Sequence, residues 1–262
     1  ADTDKAVRAI KAGATDFIPK PWEKEKLLAT LSSGMKLRRS RTEINLLKEQ
    51  VEVLSNATAG GSEEVIIGDS LVMQQVFSTV EKLRDTDANI LILGENGTGK
   101  DVIARLLYRN SPRYGKPFVT IDLGSIPEQL FESELFGYEK GAFTDARKAK
   151  AGRMEVATGG TLFLDEIGNL FLPMQAKLLT AIEKRCISRL GSTQATPIDV
   201  RLICATNADI RRLVDEGDFR QDLLYRINTI ELHIPPLRER GNDILLLAEY
   251  FLQRYARKYQ KE

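Results

Sequence analysis

From residue 63 onward, short apolar runs alternate with stretches in which apolar positions recur every three or four residues. The runs are residues 90–93, 118–121, 162–164, 200–205 and 229–234. Several are continuous, as expected of strands buried on both faces. Between them, sets such as Val102, Ile103, Leu106 and Leu107 have helical spacing. Strands alternating with helices predict an α/β fold, a parallel sheet covered by helices on both sides. After residues 235–240, a last helix carries Ile244, Leu245, Leu247, Ala248 and Leu252 on one face.

The front of the chain reads differently. Ala6, Val7, Ala9, Ile10 and Ala12 line a helical face that stops at Gly13. Asp16-Phe17-Ile18-Pro19 reads as a short strand, and residues 22–31 as a second helix after Pro21. Two helices and a strand cannot build a core, so residues 1–33 read as the end of a domain. Leu37, Ile44, Leu47, Val51 and Leu54 then form a helical seam with Ser40 as its polar position. Leu28, Leu31 and Met35 form an earlier seam, slightly out of phase. This predicts a linker helix at residues 34–56 that pairs with a second copy, or a single helix packed on its own domain. Residues 56–62, Asn-Ala-Thr-Ala-Gly-Gly-Ser, read as a flexible joint.

Composition narrows the function classes. Among 262 residues, 38 basic and 37 acidic side chains leave a net charge of +1, which argues against a dedicated basic nucleic-acid domain. Cys186 and Cys204 form no Cys-x-x-Cys pair, and His233 is the sole histidine. A disulfide scaffold, a cysteine zinc site and any chemistry needing two histidines are excluded. The longest uncharged run, residues 70–80, is far shorter than the ~20 apolar residues a membrane span needs. With no secretory pattern at residue 1, a reduced cytoplasmic compartment is expected.

The first candidate chemistry follows residues 90–93 directly. Gly94-Glu95-Asn96-Gly97-Thr98-Gly99-Lys100-Asp101 joins a strand to a helix. Glycines let backbone N–H groups wrap a polyphosphate, the helix start adds partial positive charge, and Lys100 supplies a full charge. The general P-loop pattern ends in Ser or Thr, and here that position is Asp101. The dinucleotide fingerprint also fails, because its third glycine position holds Val102. A second element, Asp165-Glu166, closes another buried strand. Asp165 is the expected magnesium ligand and Glu166 the residue that orients and polarises water, which points to hydrolysis of a nucleoside triphosphate. Asn207, after the run ending at Ala205-Thr206, would lie at a strand's carboxyl end, where ligands bind in parallel sheets.

Together with residues 134–146 (Glu-Leu-Phe-Gly-Tyr-Glu-Lys-Gly-Ala-Phe-Thr-Asp-Ala), 160–168 and 219–226 (Phe-Arg-Gln-Asp-Leu-Leu-Tyr-Arg), these motifs resemble one family. It is the sigma-54 activator ATPases, the NtrC-like response regulators of bacteria. The resemblance runs from about residue 65 to the end. Residues 11–21 look like the end of a receiver domain, with Lys20 matching the lysine that contacts the phosphorylated aspartate. The implied organisation is receiver end at 1–33, linker helix and joint at 34–62, AAA+ core at 63–234, and the start of a helical lid at 235–262.

The resemblance implies a ring-forming AAA+ ATPase using ATP and Mg2+. It would hydrolyse ATP between neighbouring subunits to remodel a sigma-54 RNA polymerase closed complex. An inactive dimer would precede the ring. Lys100, Asp165 and Glu166 keep their roles. Asn207 matches the γ-phosphate sensor, Arg220 and Arg226 match trans-acting arginines, and Ile66, Ile67 and Gly68 match the segment that packs on adenine. Gly141-Ala142-Phe143-Thr144-Asp145-Ala146 resembles the loop that touches sigma-54, with Asp145 where the family has glycine. Asp101 is an acid the family commonly carries, so the metal pair is Asp165 and Asp101. Asp122 stands where the family usually has an asparagine that restrains the catalytic glutamate, and an acid there would repel Glu166 or raise a pKa. The phosphoacceptor aspartate, a sensor kinase's docking surface, the lid's sensing arginine and a DNA-reading helix-turn-helix would lie outside these residues. A second reading stays open on Asp145 and Asp122: an ATP-binding regulatory module that does not productively engage sigma-54. A small-molecule kinase or a GTPase is disfavoured, because no Asn-Lys-x-Asp segment is present and Asp165-Glu166 suits attack by water better than transfer to an acceptor.

Overall fold

The computed structural model describes residues 23–59 and 66–259, with residues 8, 14–16, 18 and 21. Beyond residue 38 of the first stretch, side chains are described only at Ser40, Ile44 and Leu47. Most of the helix expected at residues 6–12 and of the strand at 16–19, Lys20, the seam side chains Val51 and Leu54, and residues 60–62 of the joint lie outside the described residues; residues 56–59 of the expected joint are helical instead. The chain divides into two units, residues 1–51 and 52–262.

The two helices expected between residues 22 and 56 are one, α1 (Lys24–Ala59). No proline interrupts it, and Gly34 alone costs a helix only about 1 kcal/mol. Its described seam residues, Leu28, Leu31, Met35, Leu37, Ile44 and Leu47, are exposed.

The second unit opens with α2 (Leu71–Lys82), β1 (Ile90–Leu93), α3 (Lys100–Arg109), β2 (Phe118–Asp122) and α4 (Phe131–Phe136). A first hairpin of β3 (Gly137–Tyr138) and β4 (Lys150–Ala151), then α5 (Arg153–Val156), β5 (Thr161–Asp165) and α6 (Leu172–Lys184), lead to a second hairpin of β6 (Cys186–Ser188) and β7 (Ala195–Pro197). The chain ends in β8 (Arg201–Thr206), α7 (Ile210–Glu216), α8 (Gln221–Ile227), β9 (Ile230–His233) and α9 (Asp243–Tyr259).

All five expected strands form within a residue or two, as a parallel sheet of order β2-β5-β8-β1-β9. On one face, Ile90, Ile92, Phe118, Phe163, Ile203, Ala205 and Leu232 pack with Met73, Val76 and Val80 of α2 and Ile103, Ala104 and Leu107 of α3. The alternate residues Leu91, Leu162, Leu164, Leu202 and Cys204 are buried on the other face, as the pleat requires. Burial pushes the Cys204 thiol up to about 12, so it packs as an apolar group rather than a nucleophile.

Gly160 marks the tightest approach. A Cβ there would lie 2.1 Å from the Pro117 carbonyl oxygen, which is backbone and cannot swing aside. Gly160→Ala is therefore expected to cost about 1–3 kcal/mol, read as a lower urea midpoint at unchanged slope. A midpoint equal to the parent's would mean the β2 end of the sheet relaxes freely.

The two hairpins carry no usable period and were not expected. The pair is joined through Glu139 N–H to the Leu190 carbonyl and Leu190 N–H to the Gly137 carbonyl, both 3.0 Å. Residues 141–146 thus project from a braced base rather than from a free loop.

Candidate active site

The strand order decides which residues meet. β8 lies between β5 and β1, so the residue that follows β8 falls between the acidic pair and the phosphate loop, all at the strands' carboxyl ends. Gly97 and Gly99 take φ of +77° and +90°, the left-handed region that costs other residues strain. Gly99 caps α3 with no side-chain bond. Lys100, the first residue of α3, is 6% exposed. Its Nζ donates to the Gly94 and Glu95 carbonyls at 3.1 and 3.4 Å and lies 3.5 Å from Glu166 Oε1.

Glu166 has φ +53°, a strained conformation for a residue with a Cβ and one that clusters at functional sites. Its Oε2 accepts the Asn207 N–H at 3.3 Å. Lys100, Glu166 and Asn207, drawn from three strand ends, thus form one cluster. Asp165 Oδ1 accepts the Glu166 N–H at 3.0 Å. Burial pushes the Asp165 carboxyl above its ordinary value. The Glu166 N–H and Lys100 draw it back, while the Glu166 and Asp122 charges push it further up.

Asp122 pairs in register with Asp165, and its Oδ1 accepts the Gly124 N–H at 2.9 Å. Its negative charge acts on Asp165, raising that carboxyl. Asp101, Asp122 and Asp165 line one cavity of about 170 Å³ with Arg105 and Thr120. No group of three or more His, Cys, Asp or Glu among the described residues could hold a metal alone. Asp101 and Asp165, lining a cavity at the start of α3 and the end of β5, fit Mg2+, which binds one or two carboxylates and completes its shell with phosphate and water.

A raised folded pKa gives Asp165 a definite linkage sign. Its contribution to stability is present below the ordinary value near 3.8 and is lost as pH rises through the raised value. At neutral pH the charged form therefore costs stability. Asp165→Asn is expected to raise the melting temperature of the ligand-free protein at pH 7.5 by about 1–3 °C, with the gain vanishing below pH 4. A lower melting temperature at neutral pH would refute this account.

The two arginines lie elsewhere. Arg220 is exposed at the start of α8, its guanidinium paired to Asp222 at 3.0 and 2.7 Å. Its N–H donates to Gln175 Oε1 at 2.7 Å. Gln175, fully buried, donates in turn to the Leu170 and Asp218 carbonyls. Arg226, at the end of α8, lines a separate cavity of about 290 Å³ with Asn89, Arg113 and Asp199. No hydrogen bond among the described residues joins either arginine to Lys100, Asp165 or Glu166.

In the loop of residues 141–146, the Gly141 and Ala146 N–H groups donate to the Ala146 and Phe143 carbonyls at 2.8 and 3.0 Å. Phe143 stays 43% exposed and packs edge-on against Tyr138 at 4.9 Å. Thr144 and Asp145 are exposed, and Ala142 half-buried. Ile66, Ile67 and Gly68 are half-buried before α2. Glu95, exposed with Asn96, is paired by Arg238. Thr98 is buried, its hydroxyl donating to the Glu95 carbonyl at 2.8 Å. Gln175, Arg238, Arg240 and Asp243 carry no local sequence signal of a role, because each acts through bonds to residues far away in the chain.

Residues 66–233 match the Sigma-54 interaction domain family. The chain is 45% identical over 258 residues to the transcriptional regulatory protein ZraR of Klebsiella oxytoca, covering 98% of this chain and 56% of that protein. It is 43% identical over 256 residues to the DNA-binding transcriptional regulator NtrC of Escherichia coli K12, covering 98% and 52%. NtrX from Brucella abortus in complex with ADP superposes with a TM-score of 0.70 at 32% identity, over 97% of this chain and 54% of that one. The chain thus spans about half the length of the curated relatives it matches.

Proposed function

This chain belongs to the Sigma-54 interaction domain family, the AAA+ sigma-54 activators, and on that premise we propose that it hydrolyses ATP to drive transcription from sigma-54 promoters. The convergence of Lys100, Glu166 and Asn207 beside Asp165 carries the reading.

Lys100 leaves its carbonyl partners and Glu166 to neutralise the β and γ phosphates, while the loop N–H groups bind their oxygens. Glu166, freed from Lys100, accepts a proton from the attacking water. The water oxygen bonds to the γ-phosphorus, and the bond from that phosphorus to the bridging oxygen of ADP breaks. Asn207, already at Glu166, senses whether a γ-phosphate is present. Asp101 and Asp165 would hold Mg2+, which when bound supplies positive charge to the phosphate oxygens. Arg220, exposed and paired with Asp222 rather than with any site residue of its own chain, acts in a neighbour's site, which makes turnover depend on a ring. Arg226 is assigned the same trans role. Ile67 and Gly68 take the nucleoside side.

The partners follow from the same reading. The loop from Gly141 to Ala146 presents Phe143 and Thr144 to sigma-54 in the polymerase holoenzyme. Residues 1–33 belong to a receiver served by a sensor histidine kinase, and residues 34–62 are a linker that holds an inactive dimer. Residues 63–234 are the ATPase core and 235–262 begin its lid. Upstream DNA is bound by a further domain, and the protein is cytoplasmic. No helix among the described residues is long and apolar enough to cross a membrane.

Exposed Asp145 favours a second reading, an ATP-bound module that does not remodel sigma-54. Capture of sigma-54 in the presence of ATP and a γ-phosphate transition-state analogue tests both. Capture that fails with Phe143→Ala supports the activator. Nucleotide binding with no capture supports the module.

A further inference from the structure

The segment that runs from β9 into α9 bonds both sides of the proposed nucleotide site. Arg238 pairs with Glu95 of the phosphate loop through two bonds of 2.7 and 2.5 Å. Arg240, 6% exposed, donates from Nη2 to the Thr98 carbonyl at 2.6 Å and from Nε to the Pro235 carbonyl at 2.9 Å. Three residues on, Asp243 opens α9 and is 1% exposed. Its carboxylate accepts the Asp69 N–H at 2.7 Å, the Ser70 N–H at 3.0 Å and the Ser70 hydroxyl at 2.7 Å. Asp69 and Ser70 directly follow Ile66, Ile67 and Gly68. A Cβ on Gly68 would meet Asp243 Oδ2 at 3.3 Å and Met73 Cβ at 3.1 Å, so this backbone is seated closely on the carboxylate.

Burying a guanidinium and a carboxylate is unfavourable unless each is well bonded. Here each is bonded to backbone, and to a different nucleotide-binding segment. A trans peptide holds its C=O and N–H antiparallel. Fixing the Thr98 carbonyl therefore fixes the Gly99 N–H, one of the donors a phosphate would use. Asp243 does the corresponding work on the other side: it caps α2, whose N-cap Ser70 has no side-chain bond of its own to that helix, and so sets where residues 66–68 lie.

We infer that Arg240 and Asp243 are positioning residues that register the two sides of the nucleotide site on the start of α9. Arg240 orients the phosphate loop, and Asp243 orients the nucleoside-side segment. The inference rests on the ATP reading of this site. It predicts a division of labour that a general structural role would not produce: loss at Asp243 is felt by a nucleoside diphosphate but not by a bare diphosphate.

The test is calorimetric titration of the whole chain with ADP and, separately, with inorganic pyrophosphate. Asp243→Asn is expected to weaken ADP about tenfold while pyrophosphate stays within about twofold, and Arg240→Lys to weaken both about fivefold, as lost charge-assisted bonds would. Ser70→Ala removes one of the three bonds to Asp243 and is the variant to use if Asp243→Asn does not fold. It should show the same selective loss at about threefold. Equal losses for both ligands, or none, in Asp243→Asn or Ser70→Ala, or unchanged binding of both in Arg240→Lys, would overturn the inference and leave Asp243 a helix cap. A parent that binds pyrophosphate but gains nothing from the nucleoside of ADP would overturn the assignment of residues 66–68, and the inference with it. A parent that binds neither ligand would overturn the ATP reading itself.

Discussion

Glu166→Gln is expected to lower ATP hydrolysis by about 10²–10⁴-fold, the usual worth of a positioned general base, while ATP binds as well as before or more tightly. The side chain keeps its shape, and an amide oxygen can still accept the Asn207 N–H that Glu166 Oε2 takes at 3.3 Å. The charge is what disappears. In the ligand-free protein that charge lies 3.5 Å from Lys100 Nζ in a site where the lysine is 6% exposed. Attraction across so short a gap is stronger at low solvent exposure than in water, so it competes with phosphate for the ammonium. Removing it frees Lys100 for the nucleotide while taking away the proton acceptor. Phosphate release and fluorescent-nucleotide titration measured side by side separate the two effects. Turnover within threefold of the parent would show that another group activates the water.

Arg220→Ala is expected to abolish the steep rise of specific ATPase activity with protein concentration and to lower the plateau about 10³-fold or more, as loss of an arginine finger does. Among the described residues, the Arg220 guanidinium is bonded to Asp222 alone, on the surface. An exposed pair of this kind is worth at most about 1 kcal/mol, so the guanidinium can exchange Asp222 for a neighbour's phosphate at little cost. Its backbone cannot wander, because buried Gln175 holds the Arg220 N–H at 2.7 Å. A fixed anchor with an exchangeable partner is what a trans-acting arginine requires. Mixing Arg220→Ala with Glu166→Gln subunits gives the decisive version. Neither is active alone, yet in a mixed ring up to about a quarter of the head-to-tail interfaces unite an intact Glu166 with an intact Arg220. Partial recovery on mixing is the expected result, and no recovery would place the arginine in cis.

The parts of this protein written in local pattern were readable without coordinates. The five strands, the strand–loop–helix at residues 90–109, and the acidic pair that closes β5 each announce themselves within one short stretch of chain. In each, apolar periodicity and glycine spacing act on neighbouring backbone. For α1 the sequence put a break near residue 33, because a change in seam phase resembles an end. The helix continues because nothing there removes a hydrogen-bond donor.

What the sequence determined by itself was thus the α/β class, the glycine-rich strand–loop–helix and the acidic pair on which the hydrolysis proposal rests. Tertiary structure alone decided how the single residues meet. The order β2-β5-β8-β1-β9 brings Asn207 to Glu166 beside Lys100 and sets Asp122 in register with Asp165. It also brings Asp243 to Ser70 across 173 positions and Gln175 to Arg220 across 45. Such contacts are pairings of one side chain with one distant residue. They have no period to detect, and they exist only once the sheet has chosen which strands are neighbours.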